Sequence, residues 1–592
     1  MVSRRFVSFV VAALLAIGLI VAIRWLSSDE TEPQASKCSG DAVQVRLASS
    51  QDKFGVLQQA ARDYSGRQVG GKCAEVLVES ANSGTVMQAL ARGWNEQTDG
   101  PRPDVWSPAA NAWTTLARQR VGTADGTPPI PEGKATPIVT SPLVIAMPEP
   151  MARAIGWPDK AIGWAELAEL AADPRGWARF GRPEWGAFKL GKTNPEFSTS
   201  GLNATIAAYF AAVGSTSDLT VRDIENAKVK EFVGKVERSI VHYGDITLTF
   251  LANLQRADDK GAALRYISAV TVDENGVTDY NRGNPSGAPE TLGKHAPPRT
   301  KLVAIYPKEG TLIHDHPYVP LTWMDSGKKA VADDFLKYLH SAPVQSLFQS
   351  YGYRSHDGKP GPLATPEYGL RPDAKIAELN APSPQVLAKI LESWSELRKR
   401  ANVLIVIDKS GSMEQEAAGT GKNRLEAAKD AVVKALPQFR ADDKVGLWAF
   451  STKQNGDLDY VELAPVQAIA RHGTALQDRT RELIPGGGTG LYDTMLAAVE
   501  KTKSTYDPEA INAVVFLTDG KNEKSGGLSL ENLLPKLQPT GEQDVRIFTI
   551  GYADEADQEA LQQIATASEG ANYDASRADA IDRVFTAVIS NF

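Results

Sequence analysis

The stretch "LIVIDKSGSM", Leu404 to Met413, ends an apolar run with Asp408, Ser410 and Ser412, three oxygen side chains at alternate positions. Such side chains converge only where the strand breaks into a tight loop, and Gly411 permits that break. Two further segments answer to it. "GGGTGLYD" sets Thr489 in a glycine-rich turn before a helical pattern, and "FLTDG" puts Asp519 at the carboxyl end of an apolar strand with Gly520 behind it. Asp408, Ser410, Ser412, Thr489 and Asp519 make an all-oxygen donor set, which suits Mg²⁺ or Mn²⁺ rather than zinc.

The elements that must position these residues follow from periodicity. From residue 401 to 592 the chain alternates strands ("NVLIVID", "KVGLWAFST", "YVELAPV", "NAVVFLTDG", "RIFTIGYAD") with amphipathic helices. Continuous apolar strands such as "VLIVI" and "AVVFL" are those of a buried parallel sheet. A doubly wound, Rossmann-like α/β domain is expected. The D-x-S-x-S run with a separated Thr and Asp resembles the metal-ion-dependent adhesion site of von Willebrand factor type A domains. That resemblance implies Ser410, Ser412 and Thr489 near the ion, Asp408 and Asp519 acting largely through water, and one coordination position left for a carboxylate of a protein partner.

The front of the chain has its own alternation. "VQVRLASS", "FGVLQQAARDYSG", "CAEVLVES", "GTVMQALARGW" and "PDVWSPA" read as β-α-β-α-β, an open sheet flanked by helices. Ser50, Ser83 and Ser107 fall where strands give way to helices. Those loops face the ligand crevice of such a sheet, and helix N-termini there favour an anion. The same serines also fit as simple helix N-caps. Farther on, "SPLVIAMPE", "TNPEFSTSG" and "VAIYPKEGT", in this order, resemble the bilobal periplasmic solute-binding proteins of ABC importers over roughly Ala42 to Tyr353. The resemblance implies two α/β lobes closing on a small solute or oxyanion, with Thr140, Ser141, Ser198 and Ser200 of the second lobe facing Ser50, Ser83 and Ser107.

Composition bounds the rest. A chain of 592 residues exceeds one hydrophobic core. A net charge of -8 leaves no footprint for nucleic acid. The apolar run from Phe6 to Ile23, followed by Arg24, Trp25 and Leu26, is long enough to span a bilayer. Arg4 and Arg5 precede it and "SSDETE" follows, so the bulk of the chain is expected outside the cell membrane. Beyond this anchor at 1–26 and a linker at 27–40, the expected order is a bilobal solute-binding-like module at 41–355, a Pro/Gly-rich semi-rigid linker with a connecting helix at 356–400, and the last module at 401–592.

The two cysteines, Cys38 and Cys73, can pair in an oxidising compartment, the alternative being two buried thiols. "GTGKNR" imitates the end of a P-loop, but Glu416 and Asn423 stand where glycine and a Mg²⁺-binding hydroxyl are needed. "HDHP", His314 to Pro317, offers two imidazoles with no further ligand nearby in sequence and is read as a turn. Neither G-x-S-x-G nor H-E-x-x-H occurs, so no enzymatic chemistry is expected. The chain as a whole resembles bacterial proteins that join a substrate-binding module to a von Willebrand factor A domain. The expected function is membrane-anchored binding and adhesion, with an importer's solute receptor carrying an accessory domain as the alternative.

Overall fold

Valine-rich alternation in the first strands produces the expected parallel sheet. Strand Ala42–Ser49 lies between Lys72–Ser80 and Val105–Ser107, parallel to both. Pro317–Pro320, arriving from far along the chain, pairs antiparallel with Val105–Ser107 and with Thr136–Pro137. Val45, Leu47, Val56, Tyr64 and Val76 bury against Phe335, Leu339 and Phe348 of two C-terminal helices, Ser326–Leu339 and Ala342–Gln349. This is the first lobe. A computed structural model describes residues 38, 42–121, 128–216, 218–541, 543–577 and 580–592. The expected membrane anchor lies outside them, and among the described residues no helix is long and apolar enough to cross a membrane.

The second lobe is a mixed sheet in the order Leu302–Ile305, Ser141–Pro148, Ala269–Asp273, Leu190–Thr193, Ile240–Gly244. The chain passes between the lobes at Pro137 to Ser141 and returns at His314 to Pro317. Thr140 and Arg354 form a further bridge, each backbone N–H donating to the other's carbonyl at 3.1 and 3.0 Å. Near the amino end, Cys38 and Cys73 are joined as a disulfide, with 5.8 Å between their Cα atoms.

The last sheet runs Leu458–Ala468, Lys444–Asn455, Arg400–Asp408, Ala510–Thr518, Arg546–Tyr552, Ala571–Ala575. All neighbours are parallel except the first pair. Its sixth strand, Ala571–Ala575, has no counterpart among the five expected. "ANYDA" is short, polar and at an edge, so it lacks the apolar signal of a strand. Arg400–Asp408 sits where the strand order reverses, so its carboxyl end opens onto the crevice of a doubly wound sheet.

The segment between the modules is not a spacer. Residues 356–361 lie against the first lobe's last helices, where His356 stacks on His340, and residues 369–379 against the second lobe, where Ala304 N–H donates to the Gly369 carbonyl at 2.8 Å and Leu370 and Leu379 are buried. Helix Pro384–Leu397 follows, with Pro384 at its first position and Ser383 accepting from the Val386 N–H at 3.4 Å. Its apolar face (Val386, Leu387, Ile390, Leu391, Trp394) lies within one apolar cluster that continues into the last module. Trp394 meets Tyr243 edge-on at 5.3 Å, and its Nε1–H donates to Glu237 at 3.2 Å. Across the same seam Tyr243 N–H donates to the Asn591 carbonyl, Asn194 to that of Ser590, and Asn253 to that of Gly570, at 2.9 to 3.1 Å.

Second lobe and last module therefore share a core. Trp394→Ala removes a fully enclosed aromatic and should destabilise the seam by about 3–5 kcal/mol. The expected result is a lower thermal midpoint and new proteolytic cleavage near residue 383, both measurable on the intact protein.

Candidate functional site

At the carboxyl end of Arg400–Asp408 the backbone turns at once. The Ser410 N–H donates back to Asp408 Oδ1 at 2.7 Å, and the Gly411 N–H donates to the Gly487 carbonyl at 2.8 Å. The second contact ties the D-x-S-x-S loop to the glycine-rich turn before Thr489. Ser410 and Ser412 hydroxyls lie 3.0 Å apart, and Ser412 Oγ donates to Asp519 Oδ1 at 2.7 Å. A Cβ placed on Gly520 would stand 3.1 Å from Thr489 Oγ1 and 3.9 Å from Ser412 Oγ, so both hydroxyls overhang the glycine behind Asp519. All five residues singled out in the sequence thus meet at one loop cluster.

Two buried carboxylates dominate its electrostatics. Asp408 and Asp519 are both fully buried, one at the end of its strand and the other just past the end of the adjacent one. Burial pushes the Asp408 carboxyl up to about 7; the Thr518 hydroxyl, donating to Oδ2 at 2.5 Å, opposes the shift and the Asp519 charge adds to it. Burial also raises Asp519, against hydrogen bonds from Ser412 and Arg424. Arg424 is the partner that sequence reasoning missed. Its guanidinium holds Asp519 Oδ2 at 2.9 Å and Glu555 at 2.7 Å, leaving Oδ1 turned toward the serines. The neighbouring Asn423 caps helix Arg424–Ala435 with Glu426 as a reciprocal capping box, which is the physical use of the P-loop-like "GTGKNR". A hard divalent ion fits these residues, since two desolvated carboxylates and three hydroxyls offer only oxygen.

The interlobe cleft is narrower than the serine loops imply. Ser50, Ser83, Ser198 and Ser200 line a cavity of ≈ 50 Å³ together with Asp52, Asn82, Asp273, Asn275 and His314. Ser107, Thr140 and Ser141 do not line it. Ser107 lies beneath Lys53, whose ammonium bonds its carbonyl at 2.9 Å; Thr140 Oγ1 donates to the Ser355 carbonyl at 3.1 Å in the hinge; Ser141 Oγ donates to Asn275 at 3.0 Å. The unanticipated members are charged. Lys53 is fully buried, which lowers its ammonium to about 8. Read along the helix as one more lysine, it carried no signal that it would turn inward. "HDHP" is not an isolated turn either. His314 belongs to a short strand beside Ser141–Pro148, and Asp52 and Asp273 stand next to the two imidazoles.

The lobes touch directly. Gly84 N–H donates to the Phe197 carbonyl at 3.0 Å, and Trp113 Nε1–H donates to Thr199 Oγ1 at 2.8 Å.

Both halves of this architecture match known families. The model for bacterial extracellular solute-binding proteins matches residues 45–354, and that for the von Willebrand factor type A domain matches 402–587. The chain belongs to the bacterial extracellular solute-binding protein family and carries a von Willebrand factor type A domain. No curated protein matches it. Among solved structures, a von Willebrand factor type A protein from Catenulispora acidiphila is 21% identical over 32% of this chain, with a TM-score of 0.27; the match spans 42% of that protein's length. A periplasmic thiamin-binding protein is 12% identical over 61% of this chain and 98% of its own, with a TM-score of 0.40. The sulfate-binding protein SubI from Mycobacterium tuberculosis H37Rv is 13% identical over 53% of this chain and 87% of its own, at 0.34.

Two outcomes follow. Asp408 is raised from an unfolded value near 3.9, so the folded domain holds the extra proton between about pH 4 and 7. Metal-free protein should therefore lose stability as pH rises through that window, by up to about 4 kcal/mol. Asp408→Asn should flatten the slope and melt higher at pH 8, read from thermal midpoints in chelator. At the cleft, a Cβ on Gly84 would stand 2.1 Å from the Glu196 carbonyl oxygen and 2.6 Å from Phe197 Cα, both backbone. Gly84→Ala should hold the lobes apart, seen as a larger radius of gyration by small-angle scattering.

Proposed function

We propose that this protein is a membrane-anchored extracytoplasmic binding protein whose von Willebrand factor A domain engages an acidic group of a protein partner through Mg²⁺ or Mn²⁺. Asp408, Ser410, Ser412, Thr489 and Asp519 would hold the ion. A divalent ion there supplies an electrophilic centre for a carboxylate oxygen. The chain's own residues do the positioning: Arg424 fixes the outer oxygen of Asp519, Thr518 fixes Asp408, and the Gly411–Gly487 contact holds the serine loop against the threonine turn. The observation that carries this function is the meeting of two buried, mutually repelling carboxylates with three hydroxyls at the point where the strand order reverses. With few direct anionic ligands the ion would keep its appetite for a partner's carboxylate.

The run from Phe6 to Leu26 would tether the chain to the cell membrane, with the bulk outside, as an extracellular solute-binding module requires. The role is binding rather than turnover. A second reading, the receptor of an ABC-type importer with an accessory domain, is favoured by the small interlobe cleft lined by Ser50, Ser83, Ser198 and Ser200.

Isothermal calorimetry on the intact protein tests the first. Mg²⁺ should bind with one-to-one stoichiometry, and Asp408→Ala should weaken it by about 10–100-fold, as loss of a residue acting through the first shell does. Absence of Mg²⁺ and Mn²⁺ heat, or heat unchanged by the substitution, would refute it. A solute that raises the melting temperature of the Asp408→Ala protein would favour the importer receptor.

A further inference from the structure

The serine loops leave unexplained a second cluster, which joins the lobes. Asp52 stands on the first turn of helix Gln51–Tyr64 in the first lobe, and Asp273 ends strand Ala269–Asp273 in the second. His314 and His316 lie on the segment that crosses between them. One carboxylate oxygen of Asp52, one of Asp273 and one ring nitrogen of His316 lie within 4.8 Å of one another. His316 Nδ1 is 3.5 Å from Asp52 Oδ2, and its Nε2 is 3.9 Å from Asp273 Oδ2. His314 Nδ1 approaches Asp273 Oδ1 at 2.8 Å from the other side.

The protein itself does not satisfy this cluster. The His316 side chain is 0% exposed, yet neither of its ring nitrogens makes a well-aligned hydrogen bond, nor does either carboxylate oxygen of Asp52. Unpaired buried polar groups each cost about 1–3 kcal/mol, so a fold keeps several together only where something offsets them. The Lys53 ammonium offsets them only through its charge, which favours the ionised forms of Asp52 and Asp273. Lys53 directs its Nζ to Ser50 Oγ at 2.5 Å and to the carbonyls of Ser107 and Pro108 at 2.9 and 3.3 Å, all in the first lobe. His316 moreover holds φ at 31°, a left-handed conformation that a non-glycine residue adopts at a cost, and its ring lies beside both acids.

We infer that Asp52, Asp273 and His316 form a binding site for one first-row divalent transition-metal ion, with His314 supporting Asp273 from behind, so that the ion bridges the two lobes. Two carboxylates and an imidazole are the mixed oxygen and nitrogen set of Mn²⁺, Fe²⁺, Co²⁺ or Zn²⁺, whereas the all-oxygen set at Asp408 suits Mg²⁺. A histidine on the far oxygen of a ligating carboxylate is the outer-shell arrangement that orients metal ligands. Because its ligands come from both lobes and the crossover between them, the site is complete only when the lobes are together. It is independent of the ion at Asp408.

The test uses the intact protein carrying Asp408→Ala, stripped with chelator and titrated with Mn²⁺ or Zn²⁺. One equivalent should bind, and adding His316→Ala or Asp52→Asn should weaken it by at least about tenfold. Bound Mn²⁺ should show electron spin echo modulation from an imidazole nitrogen that His316→Ala abolishes. Asp52→Asn, nearly isosteric at a partly open position, guards against a folding defect in the histidine variant. No retained ion, an affinity unaffected by both substitutions, or Mn²⁺ without nitrogen coupling would overturn the proposal. Mg²⁺ calorimetry on His316→Ala alone reports on the Asp408 site, so failure of one assignment is distinguishable from failure of the other.

Discussion

A carboxylate with no exposed surface, at the end of the strand where a doubly wound sheet reverses its order, is the constraint on which the last module depends. Asp408 stands near a second buried carboxylate, Asp519, just past the end of the adjacent strand, and each carboxylate oxygen accepts a hydrogen bond from the surrounding loops. Moving such charges from water is expensive, and the effective penalty is several kcal/mol per ion unless it is compensated. Thr518, Ser412 and Arg424 supply part of the compensation, and the rest of the loop architecture surrounds the two acids with oxygen donors that a cation can use. Gly411, Gly487 and Gly520 allow three separate loops to approach that closely; at Gly487 the backbone takes a φ of 86° and at Gly520 the space belongs to the threonine hydroxyl.

The same principle, buried polar groups meeting at a seam, organises the molecule on a larger scale. One seam joins the second lobe to the last module. Trp394, Tyr243 and Glu237 form its polar-aromatic centre, beside the buried Lys192–Glu237 ion pair, and the C-terminal residues Ser590 and Asn591 return to bond the second lobe's strands and loops. The other joins the two lobes, where contact is made by a glycine backbone, a tryptophan N–H and charged residues around a small cavity. Both seams fall within one continuous apolar cluster, which takes in Val86, Met87, Leu90, Trp113 and Leu116 of the first lobe as well as the second lobe and the last module.

Much of this was legible from residue order. The valine-rich strands, the helical periods and the D-x-S-x-S run with its distant threonine and aspartate required only local pattern, and the final sheet placed them as alternation implied. Edge strand Ala571–Ala575 escaped because only its two end alanines are buried, which leaves no apolar alternation to read. Segment 356–381 read as a linker because proline and glycine mark irregular backbone, yet irregular backbone can pack as tightly as a helix when its carbonyls find partners, as Gly369 does with Ala304.

By itself, the sequence determined the α/β architecture and the five oxygen donors at Asp408, Ser410, Ser412, Thr489 and Asp519, because periodicity and turn chemistry are local properties. Tertiary structure alone decided that Ser107, Thr140 and Ser141 turn away from the cleft while Asp52, Asp273 and His314 enter it. The side a polar side chain faces there depends on which distant strand lies alongside. Strand Pro317–Pro320 pairs with Val105–Ser107 more than two hundred residues away, and such partners are set by packing that no local pattern records.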